Sequence, residues 1–476
     1  MNSFNLDRTL SWTKALQALN ADDAATLAML SDLQGNILKG HGRDFTAHLF
    51  LAVNKGGALK TKKLLRELAD EMPSALDQLT GAQVFKATGK DAGGFLAMFL
   101  SARGYEALEL QGSLPEGQAF RAGMGSRQAI LSDPPSGQWE SHLAGPVHAM
   151  ILLADDDRNA LKARTSDMRS RIESGGAATV VGVDEGIARR NDEKQGIEHF
   201  GYVDGRSQPL ILEEDIDKER AAGGVDKWDP SIPLKQVLVP CPGAGLDVSH
   251  GSFFVFRKLE QDVLGFKTRE IALAEELKRQ SKSDPGELAG AYVVGRFENG
   301  TPTLLESHEV PVGPGATAVP NNFNYDADQA GLSCPYAAHI RKTNPRDPKI
   351  DSTSRLMARR GIIYGERKDG PNDGKLNNKP SRGVGLLFMA YQSSLENQFE
   401  FTQESWANNK GFHFASPVQP VGIDPVIGQP KSGGDQAYPL KYGVGPLSEL
   451  FDFSGFVKMQ GGEYFFAPSL SFFKRL

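Results

Sequence analysis

An α+β fold with a mainly antiparallel sheet, built in two similar halves, is what this 476-residue sequence predicts. Three observations carry the prediction. Short apolar runs that fit strands are interleaved with stretches that fit helices. No Gly-rich nucleotide loop joins any of them, which disfavours a doubly wound nucleotide-binding fold. The strand-helix-strand pattern that begins with AHLFLAV at 47–53 is echoed, in pattern and not in identity, by one that begins with SFFVFR at 252–257.

In chain order, residues 1–40 read as a helical strap. Leu16, Leu19, Leu27, Met29, Leu30 and Leu33 recur among polar residues until Gln34-Gly35-Asn36 breaks the pattern. The strand at 47–53 is followed by a helix over 59–72 with Leu64, Leu65 and Leu68 on one side. Strands are expected at 82–87, 94–100 and 148–153, a helix over 158–172, and a strand at 178–183. Residues 213–249 are charged at first and then rich in Pro and Gly, so they read as a connector. The chain is thereby divided into an N-terminal half, 1–225, a linker, 226–250, and a C-terminal half, 251–476. In the latter, the strand at 252–257 precedes a helix over 259–282 and strands at 291–296, 362–364, 385–392 and 463–467. Polar inserts at 313–331 and 366–382 are long enough to line a site or to move.

Composition is that of an ordinary globular chain, 39% hydrophobic and 24% charged. Lys and Arg number 53 against 59 Asp and Glu, a net charge of −6, so no global field exists to hold nucleic acid or an anionic membrane. Cys241 and Cys334 are too few for a disulfide framework. The N-terminus lacks the basic-then-apolar order of a signal peptide, and no apolar run approaches the ~20 residues that span a bilayer. The expected compartment is the cytoplasm.

Two stretches offer chemistry. In GLSCPYAAHIRKTNPR, 331–346, His339 sits on a short helical turn, with Pro335 suited to its first position and Asn344-Pro345 ending it. Arg355, Arg359 and Arg360 then lead into the apolar run Ile362-Ile363-Tyr364. The other stretch is HFGYVDGRSQP, 199–209, where Gly201 and Gly205 remove side-chain bulk around Asp204 and would let it approach a flat ligand. Read locally, it is only a turn with an acidic residue. No pair of histidines has the spacing of a zinc or non-haem iron site, but a single axial imidazole to haem needs no companions. Cys334, followed by Pro, is a rival axial ligand.

GYVDG at 201–205 matches the GxxDG signature of the dye-decolorizing peroxidases. CPYAAHIRKTNPR at 334–346 resembles that family's proximal-histidine segment, and RRGIIYG at 359–365 resembles its distal-arginine segment. QGNILKGHGR, GLLFMAYQ and GGEYFFAPS also resemble the family's longer branch. The resemblance implies two ferredoxin-like halves in a dimeric α+β barrel-like arrangement and one haem b per chain. It implies a peroxidase that reduces hydrogen peroxide and oxidises dyes and aromatic donors by one-electron steps. Carried over by position, His339 is the axial ligand, Asp204 the distal acid and base, and Arg359 the distal arginine. Arg360 is the alternative arginine and a propionate partner, Leu386 and Phe388 wall the distal pocket, and Asp424 is the candidate carboxylate behind His339, with Glu400 and Asp452 as alternatives that spacing does not decide between. Two rival readings are a haem-handling or haem-sensing protein without turnover and a non-haem protein in which both residues are structural.

Overall fold

The computed structural model describes residues 4–89, 93–311, 320–429 and 431–476, so positions 313–319 of the first insert lie outside the described residues. Its N-terminal strands are β1 (Phe45–Val53), β2 (Phe95–Ser101), β3 (Ala149–Asp155) and β4 (Ala178–Ile187). After the two-residue β5 (Val239–Pro240) come β6 (His250–Gln261), β7 (Ala358–Arg359), β8 (Ile362–Tyr364) and β9 (Gly385–Gln392). A separate hairpin, β10 (Pro439–Lys441) and β11 (Val444–Leu447), precedes β12 (Val457–Ala467). Ten of these strands form one open sheet in the order β4-β1-β3-β2-β12-β6-β9-β7, with β5 on β6 and β8 on β9.

The C-terminal strand joins the two halves. β12 runs antiparallel to β6 from Val457↔Gln261 to Ala467↔Ser252, and at its far end pairs Phe465 with Ser101 and Phe466 with Leu100 of β2. Period-2 alternation then sorts side chains to two faces. Leu49, Leu51, Val255 and Phe466 enter one buried cluster, and Phe50, Phe254, Phe256 and Phe465 enter the other. Because both faces are covered, β2 and β3 are buried along their whole length, which is why FLAMFLS and AMILLAD are continuously apolar.

Three expectations are corrected. The strand expected at 82–87 lies inside the helix Ala75–Thr88. Its capping box, Ser74 accepting from the Asp77 amide while Asp77 accepts from the Ser74 amide, outweighs the β-forming Val84 and Phe85, which stay about half exposed. The strand expected at 291–296 is the helix Leu288–Val294, ended by Gly295 in the left-handed region, so the echoed strand-helix-strand unit of the second half lacks its third member. The helix expected from 259 starts later: β6 continues to Gln261, and Asp262 caps Val263–Ser281 through the Gly265 amide. The connector at 213–249 holds the helix Glu213–Ala221 and the fully buried Leu234 and Val237. No helix among the described residues is long and apolar enough to cross a membrane.

Candidate active site

The helix carrying His339 is a single turn, His339–Thr343, which begins at His339 itself; Pro335 closes the preceding turn by accepting from the Ala338 amide. The imidazole Nδ1 lies 2.8 Å from Asp424 Oδ2. Asp424 is completely buried, and its other oxygen accepts from the Val426 and Ile427 amides at 2.8 and 2.9 Å, so the carboxylate is fixed from both sides. Burial disfavours the imidazolium, but attraction to Asp424 and the hydrogen bond outweigh it and hold the His339 pKa above its ordinary value. With Nδ1 committed to a carboxylate, Nε2 is the nitrogen left for a ligand.

The loop 199–209 is held by its neighbours. Half-buried Glu198 accepts from the amides of Phe200 (2.8 Å) and Tyr202 (3.0 Å), while the Val203 amide donates to Glu298 O and the Asp204 amide to Gly196 O, each at 3.0 Å. Gly201 has φ +102, and a Cβ there would lie 2.0 Å from the Asn372 carboxamide oxygen, so the second insert packs directly on the loop. That insert is braced internally by ion pairs of Asp369 with Arg367 and Lys379, and Arg367 and Asn372 donate to the carbonyls of His199 and Gly201. It lines the loop rather than standing free.

One cavity of about 300 Å³ gathers the separated segments. Its wall includes His339, Asp204 and Arg359, with Leu386 and Phe388 projecting from one face of β9. Arg359 donates to the Arg206 carbonyl at 2.8 Å, and burial lowers its pKa from the ordinary guanidinium value. Arg360 is not part of that wall. Its guanidinium bonds the carbonyls of Asn36, Ile37 and Arg359, which ties the N-terminal strap to the sheet and corrects the expectation of a propionate partner. The reversal of facing between adjacent strand residues separates the two arginines.

Cys334 is also absent from the wall, and burial pushes its thiol up to about 11, so the rival thiolate ligand has neither position nor ionisation. The sequence reading missed Arg206, Arg296 and Arg346. All three line the cavity, and Arg296 and Arg346 converge on Ser207 Oγ and Asn321 Oδ1. Burial lowers Arg296 to about 10 and Arg346 to about 9. The available signal was one Arg directly after Asp204-Gly205 and one directly after Asn344-Pro345, with none for Arg296, and single arginines in loops are too common to select.

A cavity lined by a carboxylate-backed imidazole, apolar side chains and several arginines suits haem, whose macrocycle is apolar, whose iron takes one imidazole and whose propionates are anionic. Fold and site together define an α+β haem peroxidase. Residues 32–189 match the family model described as the DyP dimeric alpha+beta barrel domain, and residues 231–417 match that of the Dyp-type peroxidase C-terminal domain. The chain is 43% identical over 484 residues to the multifunctional dye peroxidase DyP2 of an Amycolatopsis species, covering 99% of each. The solved structure of DyP2 superposes with a TM-score of 0.91 at 42% identity, over 99% of this chain and 100% of that one. A dye-decolorizing peroxidase of Exidia glandulosa is 31% identical, over 96% of this chain and 87% of its own. A dye-decolorizing peroxidase solved in complex with 2,6-dimethoxyphenol has a TM-score of 0.76 at 29% identity, over 93% of this chain and 98% of its own. The chain belongs to the dye-decolorizing peroxidases and is a haem-dependent peroxidase.

Proposed function

We propose that this peroxidase acts on hydrogen peroxide with His339 as axial ligand, Asp204 as proton carrier and Arg359 as the fixed positive charge. The enzyme oxidises dyes and aromatic donors. What supports the residue roles is one observation: a single cavity is bounded by His339 with its Asp424 partner and by Asp204 and Arg359, which come from three separate segments. The cofactor is haem b, one per chain; when bound it would supply the redox-active iron for peroxide reduction and one-electron oxidation of donors.

The protein's own groups have distinct tasks. Asp204 takes a proton from one peroxide oxygen and returns it to the other, which leaves as water. Its amide and one carboxylate oxygen are tied by hydrogen bonds to Gly196 O and the Gly205 amide, so the carboxylate is presented rather than searching. Arg359, anchored on the Arg206 carbonyl, stabilises negative charge as the O–O bond opens. Leu386 and Phe388 put apolar surface on that side of the cavity, and Arg206 and Arg346, which also line it, would supply positive charge for the anionic propionates of a bound haem. The two buried, unbridged cysteines fit a reducing, cytoplasmic location.

Absorption spectra and dye bleaching of the wild type, Asp204→Asn and Arg359→Leu test the assignment. A wild-type Soret band with turnover lowered about 100-fold or more in each variant is expected. Unchanged turnover in both would remove the distal roles, and a wild-type Soret band in His339→Ala would remove the axial one.

A further inference from the structure

Lys342 is completely buried, one turn beyond His339 on the same five-residue helix. Its Nζ donates to three backbone carbonyls, those of Asn409 (2.7 Å), Phe412 (2.5 Å) and Gly422 (2.6 Å). Burial pulls its pKa down to about 7. Three converging acceptors nevertheless match the three protons of an ammonium; a neutral amine would turn its lone pair toward a carbonyl oxygen. The bonded segment, 409–422, is the one that delivers Asp424. The Val421 and Gly422 amides both bond Lys410 O, and the Asp424 amide bonds Ala407 O at 2.8 Å. One helical turn therefore holds the imidazole and, through Lys342, the chain that carries the imidazole's carboxylate.

We propose that Lys342 is a positioning residue for the axial histidine: it fastens segment 409–422 to the His339 helix and so fixes the Asp424–His339 hydrogen bond that sets the donor strength of the imidazole. The proposal rests on His339 being the axial ligand. A carboxylate-bonded imidazole is a stronger donor and stabilises ferric over ferrous iron, lowering the reduction potential. Without Lys342, three carbonyls lose their common donor and repel one another, the segment relaxes, and the bond from Asp424 lengthens.

The test measures the ferric/ferrous midpoint potential and the iron–imidazole stretching frequency of the haem-loaded protein. Asp424→Asn is expected to raise the potential and lower the frequency. Lys342→Met is expected to move both in the same direction by a smaller amount, and to add nothing further in the Asp424→Asn background. Lys342→Gln, whose amide still donates to two of the carbonyls, is expected to fall between wild type and Lys342→Met, and it carries the test alone if Lys342→Met does not fold. Wild-type values in a folded Lys342 variant, or a shift that persists undiminished without Asp424, would overturn the proposal. A wild-type stretching band in His339→Ala would instead overturn the ligand assignment on which it rests.

Discussion

Asp424 shows most plainly what a single residue contributes at this site. It is fully buried, bonded by two amides on one oxygen and by His339 on the other, so replacing it with Asn leaves a near-isosteric group of weaker acceptor strength. Asp424→Asn is expected to cost about 10- to 100-fold in haem affinity, read by haem transfer to a competing acceptor. Buried histidines that do not line the cavity set a limit of another kind. His48 and His199 are each held down to about 4 by burial, and the second ring nitrogen of each has no hydrogen-bond partner, so a proton there would be stranded. Between about 6.5 and 4 the unfolded chain binds protons that the folded one refuses, so stability falls as pH drops through that window. The loss is on the order of 3 kcal/mol per histidine. Denaturant midpoints measured from pH 7 to pH 4 should decline accordingly, with a shallower slope in His199→Asn. A flat profile in the wild type would contradict this. At this scale the sequence showed His339, Asp204 and Arg359 as motif members, while Arg206, Arg296 and Arg346 were hidden because nothing local distinguishes a cavity-lining arginine from a surface one.

Among the elements, β9 positions the wall of the cavity through its register. Gly385 opens the strand opposite Glu260 of β6, and a Cβ there would lie 2.0 Å from the Leu259 carbonyl oxygen. Gly385→Ala forces the backbones apart just where Leu386 and Phe388 begin, so it should destabilise by roughly 1–3 kcal/mol and weaken haem retention together. Melting temperature and Soret intensity after gel filtration check this; a wild-type melt would remove the register argument. β9 and β12 were readable from their apolar runs. Residues 82–87 and 291–296 were not, because short β-forming runs cannot report that a capping box upstream or a glycine downstream closes them into helices.

For the whole molecule, β12 is the strand that makes one sheet of two halves. We propose that residues 1–225 and 251–476 are separate halves bridged by 226–250, and limited proteolysis should cut first near the exposed Asp226 and Lys227. A first cut within the second insert would count against that division, since Arg367 and Asn372 hydrogen-bond the insert to the carbonyls of His199 and Gly201. Phe465 is fully buried between β6 and β2, so Phe465→Ala should cost about 3–5 kcal/mol and loosen both halves at once, seen as a single lowered unfolding transition. Two separate transitions would deny the bridging role. By itself the sequence determined the α+β class, the family and the residues able to ligate, protonate and carry charge, because hydrophobic period and short motifs are local properties of the chain. Only the tertiary structure decided that Arg359 lines the cavity while Arg360 ties down the strap, that Cys334 is sealed away, and that Lys342 holds the segment behind His339. Each of those depends on what residues far along the chain place opposite a side chain, and local pattern holds no record of that.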